Sequence, residues 1–288
     1  MPELPEVETI RRQLEEEIVG CTITDVWYDR EKMLRPSAEG FVKGVKGKKI
    51  AGVGRRAKLL IFELGPDGRR GSYIACHLRL SGRLFIRQKD DRPDDYVHVV
   101  LCLKDCGGNP NTPVGCVKEL RFSEARRFGY MQYLRSQKEL EKILGKYGPE
   151  PLGDLTADKF YSILQKTRRA VKTLLLDQSK ISGVGNIYAN DALFLAKVHP
   201  QTPANKLTRA QSDKLLKALE QVLEEGLGHG GASDQWYLQV HGEKGSYQNH
   251  FKVYGRTGQE CNVCGTKIER IVLGGRGTFF CPKCQPKS

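Results

Sequence analysis

CNVCGTKIERIVLGGRGTFFCPKC, residues 261–284, sets two Cys-x2-Cys pairs sixteen residues apart. Zinc is held by a tetrahedron of thiolates, and each pair supplies two sulfurs from one tight turn. Cys261, Cys264, Cys281 and Cys284 are therefore expected to hold one structural zinc per chain. Four thiolates leave no open coordination position, which argues against a catalytic metal. The residues between the pairs suit a β-hairpin on which Lys267, Arg270 and Arg276 alternate with Ile268, Ile271, Val272, Phe279 and Phe280. A finger this small folds around its metal rather than around a core. Arg276 near its tip is either a solvated turn residue or a phosphate contact.

Outward from the finger, charge is the next signal. The 288 residues carry a net charge of +13, and Lys and Arg that replace condensed counterions gain affinity for a phosphate backbone. Residues 1–40 hold ten acids against five basic residues, whereas 41–70 hold nine basic residues against two acids and 250–288 hold seven against two. Each basic run alone reads equally well as a solvated surface. Two of them bracketing the chain favour nucleic acid. The five remaining cysteines, scattered and without a secretory signal in MPELPEVE, read as reduced thiols of a cytoplasmic protein. Cys102, Cys106 and Cys116 make a poor second metal site, because no fourth ligand is evident. No window is apolar enough to span a membrane.

The periodicity divides the chain. Val7, Ile10, Leu14 and Ile18 recur at helical spacing behind Pro5, a first-turn residue, with Glu6 and Glu8 suited to the helix dipole. From Thr22 to about Tyr133 short β-rich runs (59–64, 73–78, 84–87, 96–103) alternate with Gly, Pro and Asp clusters, the pattern of a β-sandwich. CGGNPNTPVGC, residues 106–116, reads as a loop inserted between two strands. Beyond Leu134 the pattern is helical, over 140–146, 156–167, 169–178, 187–195 and 208–226. Short connections such as SKISGVGN, 179–186, can turn helix N-terminal amides toward phosphate. GHGGASDQ, 228–235, is a Gly-rich linker or active-site loop. The class is α+β, with expected segments 1–135 (helix plus sandwich), 136–150 (hinge), 151–250 (helical) and 251–288 (zinc hairpin).

Chemistry gathers at the N-terminus. Once Met1 is removed, the chain begins with the secondary amine of Pro2 beside Glu3, ahead of a helix whose N-terminus favours the neutral amine. Such an amine can attack a sugar C1′. The resulting iminium acidifies C2′ and drives elimination of the 3′ phosphate, with Glu3 as proton donor and acceptor. The bland alternative is that Pro-Glu merely starts a helix.

MPELPEVETIRR, residues 1–12, resembles the N-terminal signature of the bacterial formamidopyrimidine-DNA glycosylase family, and the likeness continues along the chain. GRRAKLLIF (54–62) is similar to the family hairpin bearing a catalytic-site lysine, here Lys58. HLRLSGRL (77–84) resembles its void-filling loop, with Leu80, and RFSEARRFGYM (121–131) resembles the loop holding two duplex-probing residues, here Arg126 and Phe128. Residues 174–200 look like its helix-two-turn-helix element with Asn186 in a phosphate-contacting turn, and 252–284 like its zinc hairpin with Arg276 on phosphate. Lys172 joins that phosphate-gripping set.

The resemblance implies an N-terminal helix plus β-sandwich, a helix-two-turn-helix domain and a zinc-finger β-hairpin. It also implies excision of 8-oxoguanine and formamidopyrimidines from a flipped nucleotide in double-stranded DNA, followed by β,δ-elimination; a monomer is expected because one lesion in a duplex has no two-fold symmetry to match. A base inside the duplex is out of reach, so it must be extruded and its place filled; Phe128 suits wedging and Arg126 suits the orphaned cytosine. Without the resemblance, Arg126 and Phe128 read as a surface-turn arginine and a locally packed aromatic, and Asn186 as a helix N-cap. Two positions depart from the family pattern: Leu80 stands where it usually has Met, and Glu124 where it usually has Asp. The loop 106–116 is longer than usual. Two other readings are an endonuclease VIII-like enzyme for oxidised pyrimidines, against which the start PELPEVE speaks, and a non-catalytic zinc-dependent binder of damaged DNA, which would need none of Pro2, Glu3 and Lys58.

Overall fold

The computed structural model describes residues 2–65, 71–106 and 118–287, which form two compact units: 1–145 with 230–246, and 146–229 with 247–288. The stretch 230–246, expected within the helical segment, thus belongs to the sheet-bearing unit.

In the first unit, α1 (Leu4–Ile18) opens with a capping box in which Glu3 and Glu6 each accept a hydrogen bond from the other's backbone N–H. Its apolar stripe Val7, Ile10, Leu14 and Ile18 is buried, the outcome that its spacing predicts. The strands are β1 (Thr22–Tyr28), β2 (Leu34–Arg35), β3 (Lys49–Arg56), β4 (Leu59–Gly65), β5 (Ser72–His77), β6 (Gly82–Gln88), β7 (Val97–Lys104), β8 (Lys118–Glu124) and β9 (Tyr130–Leu134). Helix α2 (Ala38–Val45), capped by Ser37, and helix α3 (Gln137–Leu144), capped by Ser136, complete the unit. The strands form one hydrogen-bonded sheet in the order β2-β9-β5-β4-β3-β1-β7-β8-β6, antiparallel except for β2 with β9. Leu60 and Phe62 of β4, Ile74 of β5, Leu84 of β6, Leu101 of β7 and Phe122 of β8 share a single core with α1. One sheet therefore supplies both faces of the expected sandwich.

The cysteine reading needs correction. Cys21 and Cys106, expected as reduced thiols, are joined in a disulfide with Cα atoms 4.2 Å apart, and Cys102 is disulfide-bonded as well. Pairing of β1 with β7 sets Thr22 opposite Lys104, so residues 85 apart in sequence become neighbours. A second metal site at Cys102, Cys106 and Cys116 is thereby ruled out, since two of its thiols are already bonded. The loop beyond Cys106 lies outside the described residues.

The second unit contains α4 (Ala157–Gln165), α5 (Val171–Leu175), α6 (Asn186–Leu195) and α7 (Arg209–Gly228), then the hairpin β10 (Glu269–Leu273) and β11 (Arg276–Phe280). Thr156 caps α4, and Thr208 with Gln211 forms a capping box on α7. The helix expected over 169–178 is shorter, because Asp177 turns the chain: its carboxylate accepts from Ser179 N–H and Oγ and pairs with Arg169. Asp191 of α6 is fully buried and accepts from Val253 N–H and Tyr254 N–H, at 3.0 and 3.1 Å, anchoring the approach to the finger. Among the described residues no helix is long and apolar enough to cross a membrane.

Candidate active site and nucleic-acid interface

Pro2 is buried at the head of α1, and Glu3, 2% exposed, is the helix N-cap. The bland role of Glu3 is therefore real: it starts the helix. Its carboxyl group, one residue along the chain from Pro2, is enclosed in a dry setting, where a proton carrier can be effective. Glu6 fixes this arrangement from both sides. Its Oε2 accepts from Glu3 N–H at 2.7 Å, and its Oε1 accepts from Ala232 N–H at 2.8 Å. The Gly-rich stretch is thus docked on the head of α1. Gly231 must be glycine there: its φ is +85°, and a Cβ would stand 2.9 Å from Glu6 Cγ. Glu6 was read only as a dipole-favouring residue; the Glu-x-x-Glu spacing from Glu3 was the signal for more.

Helix α1 is laid along β3 by Glu8, whose carboxylate meets Arg55 Nε at 3.0 Å as well as Arg11 and Arg12. Burial alone would raise the Glu8 carboxyl, and hydrogen bonds from these guanidinium groups override it and hold it below the ordinary carboxylate range. Arg55 lies three residues before Lys58, which follows Ala57, a left-handed residue (φ 55°) in the β3–β4 turn. Lys58 is 5% exposed. Nearby, His77 at the end of β5 accepts Arg79 N–H on Nδ1 at 3.0 Å. Burial, helped by the charges of Arg79, Lys58 and Arg35, pushes its pKa down to about 3, so the imidazole is neutral.

Two turns of the same unit carry the expected duplex-probing residues. Leu80 is half-buried in the β5–β6 turn, and Arg126 and Phe128 are exposed in the β8–β9 turn, with the Arg126 guanidinium 5.6 Å from the Phe128 ring centre. Phe128 is 57% exposed, so it does not pack in a local core. Arg126 N–H donates to Ser81 Oγ at 3.2 Å, joining the two turns.

In the second unit, the four cysteine sulfurs lie within 4.8 Å of one another, with separations of 3.5, 3.5 and 3.9 Å among them. A zinc tetrahedron with bonds of about 2.3 Å has edges of about 3.8 Å, so the thiols present fit the ion. Asn186 is the first residue of α6, and Gly185, not Asn186, is the N-cap. Its Nδ2 donates to Gly277 O at 3.0 Å. Lys172 was expected to grip phosphate directly. It is instead 0% exposed, with Nζ donating to Gly277 O at 2.9 Å and Thr278 Oγ1 at 2.6 Å. Both side chains thus hold the backbone next to the exposed Arg276. Asn190, which accepts Phe279 N–H at 2.8 Å, adds a third tie that sequence reasoning missed.

A buried proline heading a helix, and a basic hairpin clasped by four thiols and braced by helices, together define an α+β protein with a C-terminal zinc finger. Family descriptions match in chain order: the formamidopyrimidine-DNA glycosylase N-terminal domain over residues 1–131, its H2TH domain over 147–237, and the zinc finger found in FPG and IleRS over 258–287. The chain belongs to the formamidopyrimidine-DNA glycosylase family. It is 41% identical to the Bacillus licheniformis formamidopyrimidine-DNA glycosylase, covering all of both chains, and 42% identical to that of Chloroflexus aurantiacus, covering 99% of this chain and 98% of the relative. Among solved structures, a Lactococcus lactis FPG variant in complex with Fapy-dG-containing DNA superposes with a TM-score of 0.89 at 34% identity, over 99% of this chain and 100% of that one. The Lactococcus lactis Fpg in complex with abasic-site DNA gives 0.88 at 33%, with the same coverage.

Proposed function

We propose that this chain is a bifunctional DNA glycosylase and abasic-site lyase of base excision repair. It removes 8-oxoguanine and formamidopyrimidines from double-stranded DNA and then cleaves the strand. The observation that carries this reading is the buried Pro2–Glu3 head of α1, locked by Glu6 to Ala232. A pure binder has no use for it.

With Met1 removed, the neutral Pro2 nitrogen attacks C1′ of the extruded nucleotide and the base departs, taking up a proton. The Pro2 nitrogen gives up its proton, the C1′–O4′ bond breaks with a proton taken up at O4′, and the opened sugar is left as an iminium ion on Pro2. That cation withdraws electrons from C2′, whose proton is abstracted as the 3′ phosphate leaves; a second elimination expels the 5′ phosphate. Glu3 handles protons at the sugar, and the buried Lys58 ammonium stabilises charge beside it. Leu80, Arg126 and Phe128 fill the space left by the base and meet the orphaned partner. Asn186 and Arg276 grip the phosphates, and Lys172 holds their platform. Zinc supplies the fold of the hairpin and takes no part in the chemistry. One lesion in a duplex has no two-fold symmetry, which suits a monomer, and a DNA substrate suits a cytoplasmic location beside the chromosome.

The test is direct. Incubated with a duplex holding 8-oxoguanine opposite cytosine, the protein is expected to release the free base and leave a gap with phosphate on both sides. Release of the base with an intact strand, or no release at all, would refute the reading.

A further inference from the structure

The two turns that carry Leu80, Arg126 and Phe128 meet at one carboxylate. Glu124, the last residue of β8, is 0% exposed. Its Oε1 accepts from Ser81 Oγ and from Arg126 N–H at 3.1 Å. Its Oε2 accepts from Phe128 N–H and from Gly129 N–H at 3.0 Å. All of its bonding capacity is directed at the backbone of one turn and the hydroxyl of the other. A buried carboxylate bound this way fixes its donors strongly, since each bond is charge-assisted and the alternative is an unsatisfied group away from water.

The surroundings are built for a side chain of this length. A Cβ on Gly129 would stand 3.1 Å from Glu124 Cγ, 2.7 Å from Phe122 Cζ and 3.1 Å from His77 O, so the turn closes directly over the Glu124 stem. Arg127, between Arg126 and Phe128, takes the left-handed conformation (φ 59°), and both of these neighbours are exposed.

We propose that Glu124, with Ser81, is a positioning residue: the buried hydrogen-bond node that locks the Leu80 turn to the Arg126–Phe128 turn, so that wedge and orphan-base reader enter the duplex as one rigid piece. The inference rests on the duplex-probing roles given above to those three residues. The node touches neither sugar nor base, so its effect is confined to substrates with a partner strand.

Glutamine separates this from simple packing. Either orientation of the amide turns an NH₂ group toward backbone N–H donors. The cheaper orientation faces it toward Ser81, whose hydroxyl can rotate to accept. E124Q alone is therefore partly compensated, and E124Q/S81A is not.

Excision of 8-oxoguanine opposite cytosine and opposite adenine, and cleavage of single-stranded DNA with a preformed abasic site, are measured in single turnover. For E124Q/S81A, duplex excision is expected to fall about tenfold or more and the cytosine-over-adenine preference to shrink toward one, because an orphan-base contact contributes roughly 5- to 150-fold of discrimination. Single-strand cleavage stays within about twofold, as no helix is probed. Equal losses on duplex and single strand, or no loss, overturn the proposal. Should that variant fail to fold, S81A, which keeps all three backbone donors on Glu124, is judged by the same comparison, with a smaller loss expected. R126A/F128A serves as the control. If it loses duplex excision while the node variants do not, the node alone is refuted; if it too behaves as the unaltered protein, the duplex-probing reading falls and takes the node with it.

Discussion

Replacing Lys172 by methionine tests whether the buried ammonium grips phosphate itself or works through the hairpin. Its bonds include those to Gly277 O and Thr278 Oγ1, and hydrogen bonds to a charged group contribute about 1.5–3 kcal/mol each. Against that stands the desolvation of a fully enclosed ammonium, which methionine removes. Gly277 O also keeps its bond from Asn186. The net loss is therefore about 1–3 kcal/mol, a fall of roughly 4 °C in unfolding temperature per kcal/mol. The sharper readout is the dependence of DNA affinity on salt, where each phosphate contact contributes a slope of about 0.9. If Lys172 acts through the hairpin, K172M mislays Arg276 and lowers the slope by about 0.9, R276A does the same, and K172M/R276A lowers it no further. Additive losses, with the double variant down by about 1.8, would refute the reasoning and restore Lys172 as a direct phosphate contact.

Three further outcomes are expected. Glu3→Gln should slow 8-oxoguanine release by about 10²–10⁴-fold while sparing cleavage at a preformed abasic duplex site, since general acid–base contributions are of that size; equal small losses in single-turnover assays would leave Glu3 only its N-cap role. Chelation should remove one zinc per chain, measurable by atomic absorption, and abolish DNA binding while the sheet unit keeps its circular dichroism, whereas native protein without zinc would contradict the thiolate geometry. His77, with a folded pKa near 3 against an ordinary value of 6.5, takes up its proton more readily when unfolded. The stability it protects is complete above about pH 6.5 and is lost as pH falls toward 3. H77Q should therefore show a shallower decline than the unaltered protein across that window in denaturant titrations, and parallel curves would count against the shift.

Local rules made much of this molecule legible. The stripe Val7, Ile10, Leu14 and Ile18 announced α1, and the cysteine spacing announced the finger, because each depends on residues close in sequence. Strands β1, β2, β3, β8 and β9 gave weaker signals: β3 is broken by two glycines and three basic residues, β2 has only two residues, and pairing such as β9 with β5 is long-range. The disulfide between Cys21 and Cys106 was invisible for the same reason. Site residues divide similarly. Glu3 and Arg276 stand in short local motifs, and the resemblance, not the residues alone, raised each above a helix start and a solvated turn. The grip of Glu6 on Ala232, 226 positions away, exists only after folding. Lys172 was read as a phosphate grip on the strength of the resemblance; burial against Gly277 and Thr278 requires the hairpin to arrive from over a hundred residues downstream.

The central claim is that the Pro2 amine forms the covalent link to DNA. Borohydride added during the reaction on an 8-oxoguanine duplex should reduce the iminium, and mass spectrometry of the digested adduct should place the deoxyribose remnant on an N-terminal peptide that begins at Pro2, with none formed by protein bearing an uncleaved extension. A remnant found on Lys58, or undiminished trapping by the extended protein, would contradict it.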